Sequence, residues 1–329
     1  MSATCRRQSL WVVVCAYLQA CGRLCLRAVI VWSALLAGGA LQAAEPLRVL
    51  SQEAWVEDGL EARIQDVSTR LAGRFKPDAP GTVYALGPGK TLWLKLRLKG
   101  TAATESDWAL DIRVPPLDSA VLYQRDADGR WSAQVAGDQL DVANWSRPGR
   151  YPSFALSLPA GVPREVILQV RHRDPIGFDL RMGTGPQIEQ THQFEYLAMG
   201  AVLGTLLLLV THCLIQSVMY RDLSYAWYAL YGLAMTLTVA AATGIGGHLL
   251  WPHWGQWNDL SQGLMPILLS AVNILFVRNL CAIAPRHPWV DRLALAAGFV
   301  ILLLCMAFPS TGSAHKTGCL LYTSPSPRD

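Results

Sequence analysis

The stretch "TLWLKLRLKG", Thr91 to Gly100, alternates Leu92, Leu94, Leu96 and Leu98 with Trp93, Lys95, Arg97 and Lys99. A period of two predicts a strand that buries one face and wets the other, with the four leucines pointing inward. Similar short patterns predict strands at Trp108 to Val114, Ala120 to Gln124, Phe154 to Leu158, Val166 to His172 and Phe178 to Met182. Turn chemistry separates them at "DADGR", "RPGRYP" and "LPAGVP". Residues 45–190 are therefore expected to form an all-β sandwich or jelly roll. One short helix precedes the leucine strand, because Ile64, Val67 and Leu71 share a helical face.

From Leu197 the pattern changes from alternation to long apolar runs. Four spans are predicted at residues 197–216, 223–244, 260–283 and 293–308. Three reach the ~20 residues that cross a bilayer as a helix. A chain of 329 residues that is 52% hydrophobic is too apolar for an ordinary soluble protein, so this part is expected to lie in lipid. Arg221 in the first short loop, and Arg278, Arg286 and Arg292 around the third, place those loops in the cytoplasm. The loop from Ile245 to Asp259 has no Lys or Arg, which puts it and the β domain outside. Its Trp251, Trp254 and Trp257 are expected to anchor the interface. Gly200 and Gly204 form a GxxxG pair, and Asn273 is the candidate interhelical hydrogen-bond former.

The net charge of +4 does not point to nucleic acid. Arg6, Arg7, Arg23 and Arg27 account for all of it, and they flank apolar runs in residues 1–44. Ala28 to Leu41, followed by Ala43 and Ala44 before Glu45, has the tripartite logic of a secretory signal peptide. A second run, Leu10 to Leu18, leaves two readings, a start codon placed too early or a long signal or uncleaved anchor. No cysteine lies between Glu45 and Tyr196, which excludes a disulfide scaffold and a thiolate metal site there.

Chemical motifs are sparse. "GPGKT", Gly87 to Thr91, imitates a phosphate-binding loop but precedes a strand, and reads as a β turn. His172, His192 and His212 lack metal-ligand spacing, and no serine sits in a nucleophile elbow. The residues give no catalytic set and call for no cofactor or metal. Trp93, Trp108, Trp131, Trp145 and Tyr151 are the candidate ligand-binding residues, since aromatic faces on a sandwich can stack on sugar rings; the alternative for each is packing.

Phe75-Lys76-Pro77, Leu86-Gly87, Trp93-Leu94-Lys95-Leu96, "PPLDSAVLY" from Pro115 to Tyr123, Gly137-Asp138, Arg147-Pro148 and "FALSLPAG" recur in one order. Met219 to Leu223, Leu250-Trp251-Pro252 and Phe276-Val277-Arg278 with Pro288 continue it through the apolar part. Together they resemble the bacterial seven-transmembrane receptors with diverse intracellular signalling modules. The resemblance implies seven spans, of which four are present, and a cytoplasmic output domain, often a diguanylate cyclase or histidine kinase. It makes the chain the sensory half of an inner-membrane receptor, multi-pass, with residues 45–196 in the periplasm. The partners it implies are the lipid bilayer, a small extracellular ligand such as a carbohydrate, and a second copy as homodimer. A non-signalling membrane-tethered binding module in envelope or polysaccharide export is the competing reading. Finally, "CLLYTSPSPRD" at 319–329 resembles a translated sequencing-library adaptor, so truncation after the fourth helix is expected; a natural exposed tail is the alternative.

Overall fold

A computed structural model describes residues 47–313, apart from 60–61, 80, 101–106, 127, 160 and 282. The expected signal peptide (1–44) and the 319–329 tail lie outside the described residues.

Eleven strands come first: β1 (Arg48–Asp58), β2 (Lys76–Pro77), β3 (Val83–Tyr84), β4 (Lys90–Lys99), β5 (Trp108–Ile112), β6 (Ser119–Arg125), β7 (Trp131–Ala136), β8 (Ser153–Leu156), β9 (Pro163–Arg171), β10 (Ile176–Gly177) and β11 (Leu180–Thr184). A six-stranded sheet, β2-β1-β4-β9-β6-β7, and a three-stranded sheet, β11-β5-β8, are antiparallel throughout, and β10 pairs with β3. This is the β-rich domain expected.

The register explains the core. Leu94 lies opposite Leu168, which lies opposite Leu122, and Leu92 aligns with Val170 and Ala120, so rows of apolar side chains cross three strands on one face. All four leucines of β4 are buried against Leu110, Ile112, Phe154 and Leu156 of the smaller sheet. Trp93, on the opposite face, is also buried, because helix α1 (Ile64–Ser68) brings Val67 onto it beside Ile167. Its indole stacks on Tyr123 and donates to Glu57 Oε2 at 2.8 Å. The open edge of β8 is closed by side-chain amides. Gln134 donates to Ala155 O at 2.7 Å and accepts from Ala155 N at 2.9 Å, which imitates a missing strand.

The helices follow: α2 (Gly185–Tyr220), α3 (Leu223–Ala242), α4 (Gly255–Leu280), a short α5 (Ile283–Arg286) and α6 (Pro288–Ser313). The first three of the long ones, α2, α3 and α4, are long and apolar enough to cross a membrane. Consecutive long helices pack in order, α2 on α3, α3 on α4, α4 on α6. Arg221 in the left-handed conformation ends α2, and Asp222 caps α3 by accepting from Ser224 N at 2.8 Å, which makes the short turn between them. The close α2–α3 approach is at Gly232, which faces Val210, whereas Gly200 and Gly204 face open space among the described residues. Asn273 is exposed; a polar link between helices is made by Arg278, whose Nε and Nη2 meet Asp291 at 2.5 and 3.1 Å across α4 and α6.

The helix that carries the span expected at 197–216 is longer than that span. Helix α2 runs 36 residues, about 54 Å at ~1.5 Å per residue, and begins where β11 ends. Its additional first three turns are polar, and they lie on the β domain.

Candidate functional site: the junction of sheet and helices

The outer face of the sheet β11-β5-β8 carries Asp111, because Leu110 and Ile112 on either side of it point into the core. Helix α2 covers this face. Thr184 is both the last residue of β11 and the N-cap of α2, its backbone N–H held by Gln187 Oε1 at 3.2 Å, so no flexible loop separates strand from helix.

Along α2, Ile188, His192 and Glu195 recur at the spacing of one helical face. Ile188 is buried against Gly183. His192 Nε2 lies 2.7 Å from Asp111 Oδ2, and Asp111 itself is almost wholly buried, its second oxygen without a hydrogen bond. Glu195 gathers three guanidinium groups: Arg150 at 2.5 Å, Arg113 at 3.0 Å and Arg181 at 3.5 Å. On the flank, Glu189 accepts from Arg147 at 3.0 Å. These pairs tie one helix to three separate segments of the domain, and Arg150 also donates to the Tyr151 hydroxyl.

A second contact joins the domain to the outer turn between α3 and α4, a π-helical turn at Gly246–Leu250. Tyr196 of α2 accepts from Arg150 N at 3.1 Å and contacts His248 Nδ1 at 2.7 Å. Gly244 has φ +77 and sits so close to Arg150 that an added Cβ would lie 2.5 Å from its carbonyl oxygen. Gly255, at the start of α4, donates to Asp141 Oδ1 at 2.7 Å, and Pro252 O accepts from Ala143 N at 3.1 Å. The three tryptophans of this turn divide: Trp254 is exposed, while Trp251 packs edge-on against Trp257 and donates to Asn258 at 3.3 Å.

Beside this contact lies a polar cleft of about 190 Å³, bounded by Asp118, Asp138, His172, Arg173 and Asp174 from the domain and by Asp259 and Gln262 from α4. Arg173 bridges Asp259 at 3.1 Å and Asp118 at 3.5 Å, His172 lies 3.2 Å from Asp118, and Gln262 donates to Asp138 at 3.2 Å. Ligand oxygens of Asp118, Asp138 and Asp259 lie within 4.8 Å of one another, a set of hard donors suited to a cation, although the Arg173 guanidinium already supplies positive charge there.

Four of the five aromatic residues expected to stack on a ligand are packed inside the domain. Trp93, Trp108, Trp145 and Tyr151 are buried, so their ring faces meet protein and offer no surface to a sugar. Trp145 donates to Gly137 O at 3.1 Å, and Trp108 packs under Gly100. Trp131 is half-buried, with Arg125 lying 4.4 Å over its ring. Conversely His172 and His192, set aside for want of metal spacing, both meet carboxylates at the junction. No local signal marks those partners, which lie 54 and 81 residues away in sequence.

Two family models match the chain, 7TMR-DISM extracellular 2 over residues 53–184 and 7TM diverse intracellular signalling over 195–323. The chain belongs to the 7TM-DISM receptor family. The two 7TM-DISM modules meet between 184 and 195, where α2 lies on the sheet. This receptor family makes the β domain the extracytoplasmic part and the helices the membrane part of a sensory receptor. No curated protein matches the sequence. Among solved structures, the chain is similar to the GH31 alpha-xylosidase of Xanthomonas citri, with 15% identity and TM-score 0.24 over 42% of this chain and 15% of that one. The family 32 carbohydrate-binding module of Streptococcus pneumoniae EndoD gives 17% identity and TM-score 0.18 over 28% of this chain and 69% of that one. Likenesses this slight carry no argument about a ligand.

Proposed function

We propose that this chain is the sensory half of a bacterial inner-membrane receptor in which an extracellular ligand repositions the β domain and thereby biases the helices. The observation that carries the reading is the direct passage of β11 into α2 at Thr184: a displacement of the strand becomes a displacement of a helix long enough to cross the bilayer. Arg221 and Arg278 at the helix ends remote from the domain support an orientation with those ends in the cytoplasm, where an output module such as a diguanylate cyclase or histidine kinase would read the helices. A ligand that prefers one arrangement of domain and bundle shifts their equilibrium by its difference in affinity.

The cleft at Asp118, His172, Arg173 and Asp259 is the ligand site in this reading, because it draws walls from both parts. Its volume suits a ligand smaller than the ~300–1,000 Å³ typical of drug-sized sites. Carboxylate, guanidinium and amide groups pair well with adjacent hydroxyls, so a monosaccharide-sized polyol is the ligand class.

The test is a thermal-shift screen of the full chain in nanodiscs against mono- and disaccharides, repeated on Arg173→Ala. A stabilising sugar whose effect is lost in Arg173→Ala supports the reading. A sugar that stabilises both proteins equally moves the site elsewhere, and stabilisation by no sugar removes the carbohydrate.

A further inference from the structure

His192 on α2 and His248 in the outer turn each make a hydrogen bond at the junction whose meaning changes with a proton. His192 Nε2 lies 2.7 Å from Asp111 Oδ2, so an Nε2–H donates to a buried carboxyl oxygen. Tyr196 already accepts Arg150 N–H, which leaves its own hydrogen for His248 Nδ1 at 2.7 Å. His248 therefore receives at the nitrogen that acid would protonate.

We propose that His192–Asp111 and Tyr196–His248 form a proton-operated latch that apportions α2 between the β domain and the outer turn of the bundle.

Acid acts on the two contacts in opposite directions. A ring that carries both N–H protons makes the contact with the Asp111 carboxylate an ion pair, and the helix is held more firmly to β5. A proton on His248 occupies Nδ1, reverses or breaks the bond from Tyr196, and leaves the phenolic hydrogen without its acceptor. The groups around the pair sharpen this. His192 faces Asp111 from β5 and the Tyr151 ring from the segment before β8, with Glu195 and its three arginines one turn along. His248 faces Tyr196 and His192 from α2, and Asp141, on the domain segment that meets the outer turn, is already engaged by Gly255. Burial pushes the His248 imidazole below its ordinary range, and repulsion from His192 adds to this. A charge on either imidazole disfavours a charge on the other, so the two contacts are coupled. The proposal goes beyond the receptor reading and needs no ligand.

The test is histidine-selective NMR of the full chain in nanodiscs from pH 5 to 8, with His248→Gln to assign the resonance and His192→Gln to remove the repulsion. One imidazole should titrate below the ordinary 6.5, vanish in His248→Gln and titrate higher in His192→Gln. Amide exchange of Gly246–Leu250, corrected for intrinsic rates, should quicken several-fold in the wild-type protein at pH 5 relative to pH 8. An imidazole unmoved by His192→Gln overturns the latch. So does equal protection of the outer turn at both pH values, which requires no variant to fold.

Discussion

Glu195→Gln tests how strongly α2 is fastened to the β domain. The substitution preserves volume and removes one negative charge from the centre of three guanidinium groups. Arg150 keeps only 5% of its side-chain surface exposed and cannot turn to water, whereas Arg113 and Arg181, at 43% and 35%, can. Breaking a fully buried pair by deleting one partner costs about 3–5 kcal/mol. Glu195 is 18% exposed and two of its three partners can rehydrate, which lowers the expected cost to about 2 kcal/mol, or roughly 30-fold in the docking equilibrium. Glu189→Gln is the internal control: Glu189 is 65% exposed, and loss of its Arg147 contact should cost at most about 0.5 kcal/mol. Hydrogen exchange of residues 185–196 in the full chain reads both. A protection loss in Glu195→Gln no larger than in Glu189→Gln would refute the reasoning that burial of Arg150 makes this contact dominant.

Other substitutions probe other parts of the account. Gly244→Ala places a methyl group against the Arg150 carbonyl and demands a strained left-handed residue; cross-linking between the outer turn and the β domain should fall markedly while the sandwich keeps its far-ultraviolet dichroism, and unchanged cross-linking would mean the close approach is not needed. Gln134→Ala removes both amide bonds that close the edge of β8 and should lower domain stability by about 1–3 kcal/mol in denaturant unfolding; a loss under about 0.5 kcal/mol would show that water replaces the amide. Asp78 is pushed up by burial, but hydrogen bonds from Tyr84 and Gln52 outweigh this and hold its carboxyl below the ordinary 3.8. A carboxyl held low contributes its full stability above the unfolded carboxylate range and loses it as pH falls from that range through the lowered folded value. Tyr84→Phe should therefore reduce stability at neutral pH by about 1 kcal/mol and flatten the decline on acidification; an unchanged acid limb would remove Tyr84 from the explanation.

The strands were legible where one face is buried and the other wet. Leu92 to Leu98 announce β4 because the pleat converts their alternation directly into burial. The same logic missed β1, whose "RVLSQEAWVED" is half-exposed along most of its length and shows no clean period. β7 was missed for a related reason, since only Ala136 of its six residues is buried. Helix positions followed from apolar runs, but their outer ends did not. Residues 187–195 carry Gln, Glu and His and lack an apolar run, yet Glu189, His192 and Glu195 find partners 42 to 82 positions away, which no local window can supply. The outer turn was read for its tryptophans, whereas its glycines at 244 and 255 make the contact, through backbone proximity that a sequence does not display. Trp93 shows the converse case: it sits on the face of an alternating strand expected to be wet, and α1 covers it.

The central claim is that strand β11 and the membrane helix are one mechanical element. Hydrogen–deuterium exchange of the full chain in nanodiscs measures this directly through the amides of residues 188–196. A continuous helix fastened to the sheet predicts protection within about tenfold of that in residues 200–215, persisting for minutes to hours. Exchange of 188–196 within seconds, as in an unstructured linker, beside a protected span would contradict the account and leave the β domain tethered with no means to move the helices.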